Sequence, residues 1–188
     1  MRRIIIFSCL FLFGTASLAN ATPLATASRC DDAPKIDGEF GDSCWANASW
    51  NEQFQQRDPE EGATPSETTR FAVAFDKAAI YVAVEAEQSA PIIGYLSRRD
   101  SGSPSDWVTV SIGSASDGRH AKSFATNPVG VRADQRHYDD TKSDATWDGR
   151  WDVATSVEDD RWRMEFRIPL SQLSFDEQTE EWDLQVER

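Results

Sequence analysis

Residues 30–45, CDDAPKIDGEFGDSCW, hold two cysteines, five carboxylates and a tryptophan. Such a density of reactive groups suits a disulfide clip, a metal loop or a redox site. Thirteen residues separate Cys30 from Cys44, too wide for a C-x-x-C redox pair. Two thiols alone make a poor zinc site, because zinc takes a tetrahedral ligand set and the two histidines, His120 and His137, lie far downstream. An even pair in an exported chain reads first as a disulfide, closing a loop of about fifteen residues worth roughly 3 kcal/mol by loop entropy. Free thiols are the alternative.

The carboxylates offer hard oxygen ligands for calcium. Asp37 and Asp42 are the candidates in this stretch, and Asp76 or the cluster Asp139, Asp140, Asp144 and Asp148 offer others. None fits an EF-hand loop, and Lys142 interrupts the Asp140/Asp144 ladder.

Seven tryptophans provide a different chemistry, since an indole can stack on the apolar face of a pyranose. Strand parity sorts five of them. Trp151, Trp162 and Trp182 share parity with apolar neighbours and belong to a core. Trp107 has the opposite parity to Val108, Val110 and Ile112, and Trp147 lies in the loop DATWDGRW outside any strand. These two are the candidates for sugar stacking, against the plainer alternative of edge packing. The loop YLSRRDSGSPSDW (95–107) adds Arg98, Arg99 and Asp106, whose guanidinium forks and carboxylate suit vicinal hydroxyls. A solvated loop with a surface ion pair is the bland reading of the same residues.

Catalytic signals are sparse. The histidines stand in no H-E-x-x-H pattern and no G-x-S-x-G elbow occurs. A glycosidase carboxylate pair is recognised only by its separation in space, so part of an O-glycosyl hydrolase stays open as an alternative. The sequon Asn47-Ala48-Ser49 reads as chance in a chain of bacterial character.

The elements that must position these groups are strands. TRFAVAFD (69–76) and AIYVAVEAE (79–87) alternate about an Asp76-Lys77 turn and form a hairpin. WVTVSIG (107–113) alternates likewise, and AKSFAT (121–126) joins VRADQRH (131–137) through the turn residues Asn127 to Gly130. WDVATSVE (151–158) turns at Asp159-Asp160 into RWRMEFRI (161–168), whose apolar face opposes Arg161, Arg163, Glu165 and Arg167 as a wet face. PLSQLSF makes a turn or short helical piece, and EWDLQVE (181–187) resumes alternation. With no sustained helical period, the fold class is all-β: an immunoglobulin-like or jelly-roll-like β-sandwich of two antiparallel sheets.

Composition narrows the function. Arg2 and Arg3, the apolar run 4–13 and Ala19-Asn20-Ala21 read as a signal peptide over 1–21. That run is shorter than the ~18 apolar residues of a spanning helix. A flexible leader (22–33) and one domain (34–188) follow. The net charge is −13, and removing Arg2 and Arg3 takes it to −15. Such a surface repels nucleic acid and anionic membrane.

Taken in order, APKIDGEFGDSCWANA, PSETTRFAVAFDKAAIYVAVEAE, RRDS…SDWVTVSIG, TNPVGVRADQ, WDGRW and WRMEFRIPLSQLSF resemble family 9 carbohydrate-binding modules across about residues 34–188. The opening matches at Asp37, Gly38, Asp42 and Trp45. Arg98, Arg99, Asp100, Asp106 and Trp107 match the branch found at the N-terminus of large bacterial envelope proteins, ahead of a barrel-like region. The cysteines are not part of that pattern.

The resemblance implies a β-sandwich, saccharide binding through tryptophans and polar side chains, and structural calcium. It also implies an association with xylan-degrading glycosidases. The expectation is an exported, non-catalytic domain that binds a polysaccharide or oligosaccharide, located in the periplasm, at the outer membrane or outside the cell. The alternative is an accessory domain that contacts an outer-membrane barrel.

Overall fold

The computed structural model describes residues 24–115, 117–139, 141–176 and 178–188, together with the backbone of a short strand at Ile5–Phe7. Apart from that strand, the signal-peptide reading of residues 1–21 lies outside the described residues.

In chain order the strands are β1 (Ile5–Phe7), β2 (Leu24–Thr26), β3 (Ser28–Arg29), β4 (Trp50–Asn51), β5 (Thr69–Phe75), β6 (Ala79–Glu87) and β7 (Val108–Gly113). They continue with β8 (Ala121–Thr126), β9 (Arg132–Tyr138), β10 (Lys142–Asp144), β11 (Asp152–Val157), β12 (Arg161–Pro169) and β13 (Glu181–Glu187). One helical turn, α1 (Ser43–Ala46), and a 3-10 turn at Leu170–Gln172 complete the described elements. One sheet runs β10-β9-β8-β7-β13-β1-β2 and the other β11-β12-β6-β5-β3, with β4 also paired to β5.

Alternation places these strands as a sandwich. The hairpin β5–β6 pairs Val73 with Val82, and Asp76 closes its turn by accepting from the backbone N–H of Ala78 (2.6 Å) and Ala79 (2.8 Å). β11 and β12 pair across Asp159-Asp160, and β8 and β9 across 127–131. These pairs are antiparallel, as hairpins must be. Two contacts of the N-terminal segments are parallel, β1 on β13 and β3 on β5. They join strands remote in sequence, so no hairpin constrains their direction.

Between the sheets lies the main core, with Val82, Val84, Val110, Phe124, Trp162, Met164 and Phe166 buried. Trp151, Trp162 and Trp182 are all within it. A second apolar layer covers the opposite face of β5–β6, where Ala72, Ala74, Ala79, Tyr81 and Ala83 meet Cys30, Cys44 and Trp45. Residues 30–51 therefore form a cover over the outer face of the β5–β6–β12 sheet.

That cover changes two expectations. The face of β12 read as wet carries Glu165 at 0% exposure, because the segment 36–45 lies across it. Residues 24–30, within the expected flexible leader, are built into the fold. Ser28 and Arg29 pair with β5, Ala27 is buried, and the N–H of Cys30 donates to the carbonyl of Phe75 at 2.9 Å. Cys30 and Cys44 are joined in a disulfide with Cα atoms 5.2 Å apart, tying the start of the cover to α1.

Candidate functional site

Three buried polar side chains organise the loops around the sandwich. Glu165 on β12 holds the cover. Its carboxylate accepts from the backbone N–H of Asp37 (2.9 Å) and Gly38 (2.7 Å) and from the indole N–H of Trp45 (2.6 Å). Desolvation by burial raises its pKa despite these donors. Asp37 and Asp42 brace the same turn: Asp37 accepts from the N–H of Glu39 (3.0 Å) and pairs with Lys35, while Asp42 accepts from the N–H of Lys35 (3.1 Å). Among the described residues no group of three or more His, Cys, Asp or Glu side chains is disposed to hold a metal ion.

Asn127, also 0% exposed, holds the loop between β6 and β7. Its amide donates to the carbonyl of Tyr95 (2.9 Å) and the hydroxyl of Ser105 (3.2 Å), and its carbonyl oxygen accepts from the N–H of Val131 (2.9 Å). Asp106 pins the same loop by accepting from the N–H of Ile93 (2.7 Å) and the amide of Gln88 (3.0 Å).

Asp134 on β9 is the third hub. It takes the guanidinium of Arg99 through Nε (3.0 Å) and Nη2, the N–H of Gly149 (2.6 Å) and the indole N–H of Trp151 (3.2 Å). Arg99 also donates to the carbonyl of Gly149 (2.7 Å) and pairs with Asp148 (2.7 Å). Burial opposes the charge of Arg99, but the Asp134 carboxylate outweighs it and raises the guanidinium above its ordinary value. Asp100, at φ +59°, accepts the N–H of Asp134 at 3.0 Å. Two loops distant in sequence are thereby locked onto one strand.

The product is an open basin of about 510 Å³ at the edge of the sandwich. Arg99, Arg132, Arg150 and Arg167 line it together with Asp148 and Asp152, and Trp151 closes its floor. Its size falls within the range of small-ligand sites. A smaller cavity of about 210 Å³ on the outer face of the β5–β6–β12 sheet is lined by Arg70, Arg161 and Glu87 with the buried Glu85, which Arg70 and Arg163 pair.

Of the five binding candidates from sequence, one lies in the lining of the basin. Arg99 lines it. Trp147 is half-buried just behind that wall, meeting Phe124 edge-on at 5.9 Å, with the ammonium of Lys122 5.2 Å from its ring. A Cβ on Gly149 would stand 2.6 Å from the Trp147 ring, so the missing side chain is what lets the indole lie there. Trp107 is half-buried at the entry to β7, donating its indole N–H to the carbonyl of Ser103 at 3.2 Å. Arg98 is exposed on the pinned loop, and the carboxylate of Asp106 is taken up by the N–H of Ile93 and the amide of Gln88.

Sequence reasoning missed Asp134 and Glu165 as anchors, and read Asn127 as a turn residue without its hold on the loop at Tyr95 and Ser105. Asp134 stands in a strand among alternating basic residues, a weak signal that its charge is answered locally. Also missed was the hydrogen bond between Ser123 and His137 on the outer face of the first sheet, where Ser123 is 4% exposed and burial lowers the pKa of His137.

Comparisons with known proteins agree with this architecture. A structure of a family 9 carbohydrate-binding module from Caldicellulosiruptor kristjanssonii, solved with glucose, is 22% identical, with 80% of this chain and 70% of that chain covered at a TM-score of 0.56. A structure of the module from that organism with cellotriose is 24% identical, covers 77% and 67%, and has a TM-score of 0.55. A candidate carbohydrate-binding protein from Bacteroides uniformis is 15% identical, covers 80% and 75%, and has a TM-score of 0.60. No curated protein matches the chain. At these identities the solved structures speak for the fold. The sequence itself matches the carbohydrate family 9 binding domain-like profile over residues 36–186, and the chain belongs to that family.

Proposed function

We propose that the protein is an exported, non-catalytic carbohydrate-binding domain whose saccharide lies in the basin beside Arg99 and Trp147. The observation that carries this reading is the Asp134 hub, which fixes Arg99, Gly149 and Trp151 in one rigid wall before any ligand arrives. Arg99 and Asp148 offer hydroxyl groups a donor and an acceptor on the basin wall, and Trp147, packed half-buried behind Gly149, supports that wall. The family and the glucose and cellotriose complexes of its relatives support a saccharide ligand. Membership of a carbohydrate-binding family supports binding without catalysis.

Arg98, Asp106 and Trp107 serve the site through the pinned loop that carries Arg99. Affinity-gel electrophoresis across soluble glycans, with and without calcium, tests the proposal. Trp147→Ala is expected to weaken retardation with the far-UV spectrum unchanged, and Trp107→Ala to weaken it less. Unchanged affinity in both variants, or no retardation by any glycan, overturns the site.

A second reading, docking to an outer-membrane protein, is favoured by one surface. Ile93, Tyr95, Leu96 and Val129 are 43%, 54%, 85% and 47% exposed on two adjoining loops held together by Asn127. Rigid exposed apolar side chains of this kind mark contact surfaces. Leu96→Asp is expected to abolish co-purification with outer-membrane fragments under that reading and to leave glycan binding intact.

A further inference from the structure

The charges in the basin are not balanced. Arg99 is answered by Asp134 and Asp148, and Arg167 by Asp152 at 3.2 Å. Arg132 and Arg150 line the same basin, yet neither has a carboxylate partner among the described residues. This is unexpected in a chain of net charge −13, where carboxylates outnumber basic groups 32 to 19. Arg132 is also held in place: its Nη1 donates to the carbonyl of Trp151 at 2.7 Å, and its guanidinium carbon stands 5.8 Å from the centre of the Trp151 ring. One edge of the fork is used by the protein and the remainder is free. The backbone of Arg150 is fixed by its N–H to the side chain of Gln172 at 2.9 Å, while its side chain is solvent-exposed.

From this arrangement we infer that the ligand is an acidic glycan, with the carboxylate of a hexuronate residue received by Arg132 and Arg150 while Arg99 and Asp148 take neighbouring hydroxyls. The inference rests on the saccharide reading above and adds the ligand class. A planar, pre-oriented guanidinium matches a carboxylate through paired N–H donors, and such charge-assisted bonds exceed neutral ones in strength. The strongly negative remainder of the surface confines this attraction to the basin, so an isolated acidic residue along a chain suits it better than a dense polyanion.

Isothermal titration of the protein against a xylo-oligosaccharide bearing a single glucuronate side group and the same xylo-oligosaccharide without it, at low ionic strength, tests this. The uronate is expected to bind about tenfold more tightly. Arg132→Gln and Arg150→Gln are each expected to remove that preference, bringing uronate affinity down to the level of the neutral sugar measured with the same variant. Arg150, being exposed, gives a readout even where Arg132→Gln lowers stability. Equal affinity for both sugars overturns the inference and leaves the saccharide reading standing, whereas binding of neither defeats that reading itself. An equal gain with a sulfated oligosaccharide would mean that charge alone is read, and would overturn the carboxylate assignment.

Discussion

Gly38, at φ +85°, donates its backbone N–H to the carboxylate of Glu165 at 2.7 Å across 127 positions of sequence. With the N–H of Asp37 and the indole of Trp45 on the same carboxylate, this bond ties the opening I-D-G and its tryptophan to the M-E-F-R-I strand. All three partners are donors, so no neutral side chain replaces the carboxylate cleanly. Glu165→Ala is expected to cost roughly 3 kcal/mol or more, by leaving buried donors unpaired, and urea unfolding measures it. Glu165→Gln is expected to be costly too, because its amide opposes at least one N–H. The pKa of Glu165 is raised above 4.5 by burial, so the folded state holds its proton more readily than the unfolded state. Its contribution is therefore fully present below about pH 4.5 and declines as pH rises through the raised value. The cost of Glu165→Ala should be larger near about pH 5 than near about pH 8.

The Arg99–Asp134 pair predicts a different loss. The Asp134 side chain is fully buried, so Arg99→Ala leaves an uncompensated charge and is expected to destabilise by about 3 kcal/mol. Glycan binding should fall further than stability accounts for, because Gly149 and Asp148 lose the same guanidinium. Thermal unfolding paired with affinity gels separates the two effects.

Gly149 is required by Trp147. Gly149→Ala sets a Cβ 2.6 Å from the indole and displaces it. Reduced glycan affinity with a changed tryptophan emission spectrum is the expected result, and a thermal midpoint within a few degrees of the parent would localise the effect.

The disulfide fastens the cover. Cys30→Ser with Cys44→Ser, or reduction, is expected to remove about 3 kcal/mol. The disulfide ties residues 30 and 44 beside Glu165, so amide exchange should accelerate first in 30–51 and only afterwards between the sheets.

Asp117 gives a check on local electrostatics. Its carboxyl accepts from the N–H of Arg119 and from His120, which hold it down at about 2. The stability it supplies is present above its unfolded value near 3.8 and is lost as pH falls through about 2, a small share at so exposed a site. A carboxyl NMR titration should show that low midpoint, and His120→Ala should raise it.

Much of this architecture is written locally. Alternation in 69–87, 107–113 and 151–168 defines strands and their inward faces, because side chains on a pleated strand point alternately to opposite sides. Asp76 and Asn127 mark their turns through side-chain chemistry. The second apolar layer was legible in principle. In FAVAFDKAAIYVAVEAE the off-face positions are largely alanine, as suits a strand buried on both sides, whereas half-buried strands carry charge there.

The hubs were not legible. Nothing in the neighbours of Glu165 distinguishes it from Arg163 or Arg167, since its burial comes from residues 36–45, more than a hundred positions earlier. The wall of Arg99, Gly149 and Trp151 depends likewise on Asp134 receiving two remote loops.

By itself the sequence determined the eight longer strands of the sandwich, the three core tryptophans, the cysteine pair and the family, because those follow from periodicity, residue chemistry and ordered motifs. Only the tertiary structure decided which carboxylates are buried anchors, which arginines stand unpaired, and where a basin opens. Burial and charge balance arise from what distant segments place around a side chain, and no local pattern contains that information.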